Sequence, residues 1–313
     1  MRLAAIDVGT NTVRLLVAEL RNASRWTPVH QDQRVTRLGE RAGAGGLLGD
    51  EAMARTAAAV AEYVERARGL DAARIRIVGT SALRDASNAS TFIAAVERQS
   101  GVLVDVLSGE DEARLTVRGV LGALPAGRGA PGQTSVVFDI GGGSTEYTVV
   151  RDGALGATVS LRLGVVPLAE RFPFPGQVPE PTYREMAGGI TARLATELPA
   201  EIRDVSPGEL IGTAGTVTTL AALDLGLATY DAARVHGHRL TAPAVDRLRR
   251  QLAELTLDER AALPCLEPGR ADLIVPGVAI VQATMTLLGA ASVVVSDAGL
   301  REGLMSEAAE TPV

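Results

Sequence analysis

Ile6-Asp7-Val8-Gly9-Thr10-Asn11-Thr12 and Phe138-Asp139-Ile140-Gly141-Gly142-Gly143-Ser144 decide the reading of this chain, because they say nearly the same thing twice. Each places an aspartate at the end of an apolar strand and turns on glycine and small hydroxyl residues. Each then returns into a second apolar strand, Val13 to Leu20 in one case and Tyr147 to Val150 in the other. Glycine permits positive φ and close backbone approach, so successive N–H groups can converge on an anion. Threonine and serine hydroxyls add donors, and the aspartate can hold a cation that neutralises phosphate charge. Two such hairpins across a cleft would grip a phosphate chain.

The two aspartates lie 132 residues apart in a chain of 313, and about 150 residues make a domain, so one hairpin per domain is expected. Hydrophobic residues make up 46% and aromatic residues only 3%, so the cores must be packed with Ala, Val and Leu. All 31 basic residues are arginine. A Walker-A loop needs its lysine and a Schiff-base enzyme its amine, so both classes are excluded. The net charge of −6 argues against nucleic-acid binding over the whole surface. A polyanionic substrate therefore needs a local arginine cluster, whose planar fork can bind phosphate oxygens bidentately. The single Cys265 excludes a disulfide framework and a multi-thiolate metal site, and reads as a small buried hydrophobe. Asp7 interrupts the apolar N-terminus, so no secretory signal is read. The uncharged stretch Leu273 to Ser296 raises the membrane question, but Pro276, Gly277, Gln282 and Gly289 make it a poor span. It reads as a buried helix to Leu288, a break at Gly289 and a buried strand over Ser292–Val295. A cytoplasmic protein without membrane contact is expected.

Strands and helices alternate along the chain, which predicts α/β layers. Strands are expected over Arg2–Val8, Val13–Leu20 and near Val29–Leu38, then a glycine-rich surface loop, Gly39 to Asp50. Asp50 is read as the cap of a helix running to Arg68. Strand Ile75–Val78, a helix near Asn88–Gln99, strand Val102–Leu107 and a helix from about Ser108 to Leu121 follow. The run Pro125–Gly132 is the clearest linker. It sets an N-terminal domain over 1–124 and a second over 125–299, with the C-terminal helix, about 300–313, packing back on the first. The second domain is read as strands Ser135–Asp139 and Ala157–Leu161, a loop marked by Pro173, Pro175 and Pro179, and a helix over Thr182–Leu198. A short strand at Leu210-Ile211 then enters Gly212-Thr213-Ala214-Gly215-Thr216, an apolar helix runs to Leu225, and helices lie near Ala244–Leu255 and Ala271–Leu288.

Several segments could carry chemistry. Three consecutive glycines between apolar strands are costly unless the backbone does something unusual, so the second hairpin is the stronger anion site. Glu146 could join Asp139 in holding a metal or face solvent on its strand. Gly215 and Thr216 open a helix whose N-terminus suits phosphate, although a tight strand–helix turn explains them as well. Ser108 is a good N-cap, and the acids Glu110, Asp111 and Glu112 suit a first helical turn without any function. Glu110 can pair with Arg114 at i,i+4. Glu112 has no such obvious partner, which makes it the better candidate for a general base. Arg84, with Asn88 near it, is a candidate phosphate clamp. His236-Gly237-His238 supplies too few ligands for zinc and is read as loop or strand edge.

Together these segments resemble the exopolyphosphatase / guanosine pentaphosphate phosphohydrolase family, within the actin–sugar kinase–Hsp70 superfamily. The resemblance runs through Ile6 to Thr12, Thr80-Ser81-Ala82-Leu83-Arg84-Asp85-Ala86 and Ser108 to Leu115. It continues through Asp139 to Glu146, Gly212 to Thr216, Arg270-Ala271-Asp272 and Ser296 to Gly303. It implies two actin-like (ribonuclease H-like) domains flanking a central cleft. It also implies that Glu112 is the general base, that Asp139, Glu146 and Asp7 hold the metal, and that Asn11, Thr12, Arg84, Gly141, Gly142, Gly143, Ser144, Thr145, Gly215 and Thr216 bind phosphate. Thr10 and Thr12 stand where the family often has serine. The chain ends soon after Gly303, without the further C-terminal helical domain of longer members, so a weak hold on long polyphosphate is expected.

The expected activity is hydrolysis of the terminal phosphoanhydride bond of inorganic polyphosphate with release of orthophosphate and a preference for short chains. The expected cofactor is magnesium, or another divalent cation such as manganese, and the expected assembly a homodimer. Guanosine pentaphosphate is the alternative substrate. The rival readings are an ATP-dependent kinase of the same superfamily and a noncatalytic phosphate-ligand sensor.

Overall fold

Alternation of side chains along the first strand sends Ala4, Ile6 and Val8 to one face of a sheet and Leu3, Ala5 and Asp7 to the other. The computed structural model describes residues 1–22, 25–42, 46–124 and 132–310. The chain forms two units, Met1–Gly122 with Gly299–Val313, and Ala123–Ala298. The linker residues 125–131 and the loop glycines Gly43 and Gly45 lie outside the described residues.

The first unit holds β1 (Arg2–Val8), β2 (Thr12–Asn22), β3 (Arg25–Val35), β4 (Ala72–Gly79) and β5 (Val104–Val106), with α1 (Asp50–Gly69), α2 (Ser81–Asp85), α3 (Ala89–Ser100) and α4 (Gly109–Ala123). The strand order is β3-β2-β1-β4-β5. β1–β2 and β2–β3 are antiparallel, while β1–β4 and β4–β5 are parallel. On one face Ile6, Val8, Val13 and Leu15 pack with Val60, Tyr63, Phe92 and Val96 of α1 and α3.

The second unit holds β6 (Thr134–Ile140), β7 (Thr145–Arg151), β8 (Ala154–Leu161), β9 (Glu209–Thr213), β10 (Arg239–Thr241) and β11 (Ser292–Val295). Its helices are α5 (Val165–Arg171), α6 (Glu180–Glu197), α7 (Ala200–Arg203), α8 (Ala214–Asp224), α9 (Ala232–Val235), α10 (Ala242–Glu254), α11 (Leu257–Ala261) and α12 (Ile274–Leu287). The sheet order is β10-β11-β9-β6-β7-β8. Read from the other edge, β8-β7-β6-β9-β11 repeats the order and strand senses of the first sheet. This doubled 3-2-1-4-5 arrangement is the ribonuclease H-like pattern expected of actin-like domains, and the α/β class is as expected.

The last helix, α13 (Leu300–Glu310), returns to the first unit. Its Leu300, Leu304 and Met305 pack with Leu3, Ala5 and Leu16 on the second face of that sheet and with Leu115 of α4. A Cβ at Gly303 would lie 1.9 Å from the Leu115 carbonyl oxygen of α4, so glycine is required where these helices meet. Glu307 fastens the contact by accepting from Arg114 at 3.0 Å and Arg76 at 2.8 Å.

Several local expectations are corrected. Asp50 is the first residue of α1 and Gly49 its N-cap, with no side-chain cap bond. β5 contracts to Val104–Val106. Arg114 pairs with Asp111 and Glu307, so it is not the partner expected for Glu110. Cys265 is only partly buried; it has φ of +62° and its thiol donates to the Leu227 carbonyl. The proline-marked loop is held from inside by fully buried Arg260, which donates to the carbonyls of Phe174, Gly176 and Thr256. α12 is apolar on all sides because it lies in the middle of the second core. No helix among the described residues is long and apolar enough to cross a membrane.

α6 carries Gly188 and Gly189 in its middle, both exposed, and a Cβ at either position would meet nothing within 4 Å. Mid-helix glycine costs about 0.5–1 kcal/mol relative to alanine. Gly188→Ala and Gly189→Ala should each raise stability by about that amount, seen in urea denaturation as a higher midpoint at unchanged slope. A lower midpoint would show that these glycines serve a contact beyond the described residues.

Candidate active site

The two glycine turns are built alike. Gly9 N–H donates to the Thr12 carbonyl at 3.1 Å, and Gly141 N–H to the Ser144 carbonyl at 2.9 Å. Of the two properties the sequence reading gave these glycines, positive φ is not used, because none of Gly9, Gly141, Gly142 and Gly143 adopts it. What distinguishes the turns is where their carbonyls go. In the second unit the first N–H groups of α5, at Val165 and Val166, donate to the carbonyls of Gly141 and Gly142 at 3.2 and 2.9 Å. In the first unit Gly39 N–H donates to the Thr10 carbonyl, and Thr36 and Arg37 N–H donate to the Asn11 carbonyl, all at 2.9 Å. A trans peptide points its N–H opposite to its C=O, and no cis bond occurs among the described residues. Binding those carbonyls therefore aims the N–H groups of Asn11 and Thr12, and of Gly142 and Gly143, the other way. Neighbouring N–H groups aimed to one side of a turn suit an anion. Gly164 makes the second arrangement possible, since a Cβ there would sit 2.2 Å from the Gly142 carbonyl oxygen. Neither Gly39 nor Gly164 stands out in the sequence. Each is recognisable only once the segment that follows the turn is seen to fold back on it.

Side-chain placement separates two roles. Ser144 is buried in the turn. Thr145 is fully buried and donates its hydroxyl to the Leu163 carbonyl, so this residue braces the strand end. Asn11 Nδ2 donates to Thr12 Oγ1 at 3.3 Å. Asn11 Oδ1, Thr10 Oγ1 and Asp7 Oδ1 are sealed from solvent without a hydrogen-bond partner.

The acids sit on the sheet faces opposite the glycine-turn cores. Phe138 and Tyr147 enter the second core with ring centroids 6.2 Å apart. Alternation then puts Asp139 and its cross-strand partner Glu146 on the other face. Glu146 is 3% exposed, which decides against a solvent-facing role. Its Oε1 accepts from Ser160 on β8 at 2.6 Å. At the matching position of the first hairpin Asp7 faces Arg14 instead of an acid. Asp7 is a half-buried residue whose burial pushes its carboxyl above the ordinary 3.8; Arg14 and Arg301 oppose that shift and Glu302 adds to it. Arg14 escaped the sequence reading, and aligning the two hairpins residue by residue reveals it.

This chemistry fits a hard, oxygen-seeking cation. Two like charges directly opposite on neighbouring strands are unfavourable unless something offsets them, and the orphaned Asp7 Oδ1 is an acceptor in want of a partner. No group of three or more His, Cys, Asp or Glu side chains converges as a metal cage among the described residues. Magnesium needs no such cage, since it commonly takes one or two carboxylates and completes its shell with water and substrate phosphates.

Glu112 has a partner after all. Ser108 caps α4, its hydroxyl accepting from Asp111 N–H at 3.0 Å. Glu110 and Asp111 are exposed, as a dipole-complementing first turn requires. Glu112 differs: its side chain is 12% exposed and it accepts from Arg84 Nη1 at 2.9 Å. Arg84 Nη1 also donates to the Leu107 carbonyl at 3.0 Å. The pair stands at the carboxyl ends of parallel strands, because Thr80 N–H, just before α2, donates to Val8 and Leu107 N–H donates to Gly79. Open α/β sheets bind ligands at that edge. Asn88 is not part of this group, since its side chain ties both backbone groups of Leu48.

At the equivalent edge of the second unit, Ala214 opens α8 with φ of +69°. Arg270 lies so close over Gly215 that a Cβ there would fall 1.5 Å from Nη1. Thr216 is buried against Gly277 of α12. The turn is thus covered by a guanidinium that is itself paired with Glu267 at 3.2 Å. His238 pairs with Asp224 at 2.8 Å, and His236 ends α9, so the two histidines do not form a metal pair.

The model of the Ppx/GppA phosphatase family matches residues 16–311. Exopolyphosphatase 2 of Mycobacterium tuberculosis is 37% identical over 294 residues, which span 90% of this chain and 89% of that protein. Exopolyphosphatase 1 of the same organism is 30% identical over 312 residues, spanning 97% and 87%. Among solved structures, an exopolyphosphatase from Cytophaga hutchinsonii aligns with a TM-score of 0.90 at 27% identity, covering 99% of this chain and 98% of that one. The Aquifex aeolicus Ppx/GppA enzyme aligns at 0.79 with 31% identity, covering 98% and 99%. This chain therefore belongs to the Ppx/GppA phosphatase family, and the enzyme class expected of it, hydrolysis of phosphoanhydride bonds, goes with that membership.

Proposed function

We propose that the protein is an exopolyphosphatase that removes the terminal phosphate of inorganic polyphosphate, with short chains preferred and a homodimer as the working form. The observation that carries this reading is the pair of turns whose carbonyls are bound by the segments behind them, which aims the amides of Asn11, Gly142 and Gly143 the other way, toward phosphate oxygens. Glu112 accepts a proton from the attacking water. Arg84, which holds Glu112, supplies positive charge beside the phosphate being transferred. Magnesium, held by Asp139 and Glu146 with Asp7, would offset the charge on the transferred group. The chain's own part is positioning and fixed dipoles, as phosphoryl transfer demands.

Phosphate release measured side by side on short polyphosphate, long polyphosphate, guanosine pentaphosphate and ATP, with and without magnesium, tests the substrate assignment. Release from short polyphosphate should be fastest and should need the metal. Faster release from guanosine pentaphosphate would move the assignment to that substrate. A general base contributes about 10²–10⁴ in rate. Glu112→Gln should therefore lower kcat by about that factor with little change in substrate binding, and near-normal turnover would reduce Glu112 to a helix-dipole residue.

The reading of Asp7 as a cation ligand has a stability signature. Its folded carboxyl titrates above the unfolded value of 3.8, so the ionised form costs stability once the pH exceeds the raised folded value. That cost disappears as the pH falls through 3.8. In chelator at neutral pH, Asp7→Asn should melt at a higher temperature than the wild type, with the gap closing on acidification. Magnesium should then raise the wild-type melting temperature more than that of the variant. An equal response of both proteins to magnesium would remove Asp7 from the ligand set.

A further inference from the structure

We infer that Ser160 is a positioning residue for the divalent cation, acting through Glu146. The inference rests on the reading of Asp139 and Glu146 as metal ligands. In the ladder of β6, β7 and β8, Asp139 stands opposite Glu146 and Glu146 stands opposite Ser160. The three residues share one face of the sheet, opposite the one through which Phe138 and Tyr147 enter the core.

A buried carboxylate on a strand has a loosely defined plane, because the last torsion of glutamate is broad and roughly two-fold. Ser160 removes that freedom. Its hydroxyl donates to Glu146 Oε1 at 2.6 Å, within the short range of a charge-assisted O–H···O⁻ bond. The bond commits one carboxylate oxygen to the β8 side of the strand, while Asp139 lies on the β6 side. A cation shared by Asp139 and Glu146 therefore meets a carboxylate of fixed plane. The next pair along the same face is also hydroxyl-bonded, Thr158 Oγ1 donating to Thr148 Oγ1 at 3.1 Å, so side-chain hydrogen bonds join β7 and β8 at two successive positions of that face. Residues that orient a metal ligand through a hydrogen bond typically change metal affinity by about 10–100-fold when removed. Ser160 lies outside every glycine-rich or acidic segment of the chain, and only the strand register reveals it.

The test is direct Mn²⁺ binding to the full chain without substrate, followed by the electron paramagnetic resonance signal of free Mn²⁺. Ser160→Ala should weaken binding by about 10–100-fold, while Ser160→Thr, which keeps the hydroxyl, should bind as the wild type does. In assays the Mg²⁺ concentration for half-activation should rise in Ser160→Ala, with kcat at saturating Mg²⁺ largely kept. Asp139→Asn tests the underlying reading and should abolish binding. If Ser160→Ala binds Mn²⁺ normally while Asp139→Asn does not, the metal reading stands and this inference falls. If Asp139→Asn also binds normally, the metal reading falls and takes this inference with it. A lower melting temperature of Ser160→Ala at unchanged Mn²⁺ affinity would mark Ser160 as a packing residue and overturn the proposal.

Discussion

The planarity of the peptide bond is the constraint on which the candidate site depends. A trans peptide cannot turn its carbonyl inward without turning its N–H outward. Each glycine turn exploits this with a different donor: the start of α5 binds the carbonyls of the second turn, and the segment after β3 binds those of the first. The amide donors offered to an anion are thereby fixed by structure behind the turn. Such preorganised dipoles need no reorganisation when charge develops on a phosphoryl group, which is why they serve phosphate chemistry well.

The same two hairpins show how a repeated unit acquires different roles. Sheet order, strand senses and the turn bond from Gly9 or Gly141 are shared. The difference lies at one register position, where Asp7 faces Arg14 and Asp139 faces Glu146. One hairpin thus brings an acid with a guanidinium, and the other a pair of acids braced by Ser160.

Much of this was legible in the sequence. Apolar runs located β1, β2, β6 and β11, and the Asp-to-Gly segments located the two turns that join the strands of each hairpin. The helix Ile274–Leu287, the break at Gly289 and the strand Ser292–Val295 fell where the uncharged stretch suggested. What failed were inferences that needed contacts between distant residues. Positive φ, one of the two properties read into the turn glycines, is not used there, and the close approach depends on Gly164, a glycine outside the turn, against the Gly142 carbonyl. Glu112 looked unpartnered because only local spacings could be searched, and its partner Arg84 is 28 residues away in sequence. Cys265 was assigned by residue type, and its half-buried place with a left-handed backbone is set by the loop around it.

The Arg84–Glu112 pair also explains why three acids in one helical turn can have different fates. The dipole of α4 stabilises all of them alike, so it cannot single one out. Burial does. Glu110 and Asp111 face water and are interchangeable with other surface acids, whereas Glu112 is mostly withdrawn from solvent and would be costly there without a counter-charge. Arg84 supplies that charge and is fixed in turn by the Leu107 carbonyl, the residue that leads into α4. Of the three acids, Glu112 is the one the fold withdraws from solvent and pairs with an arginine from another element.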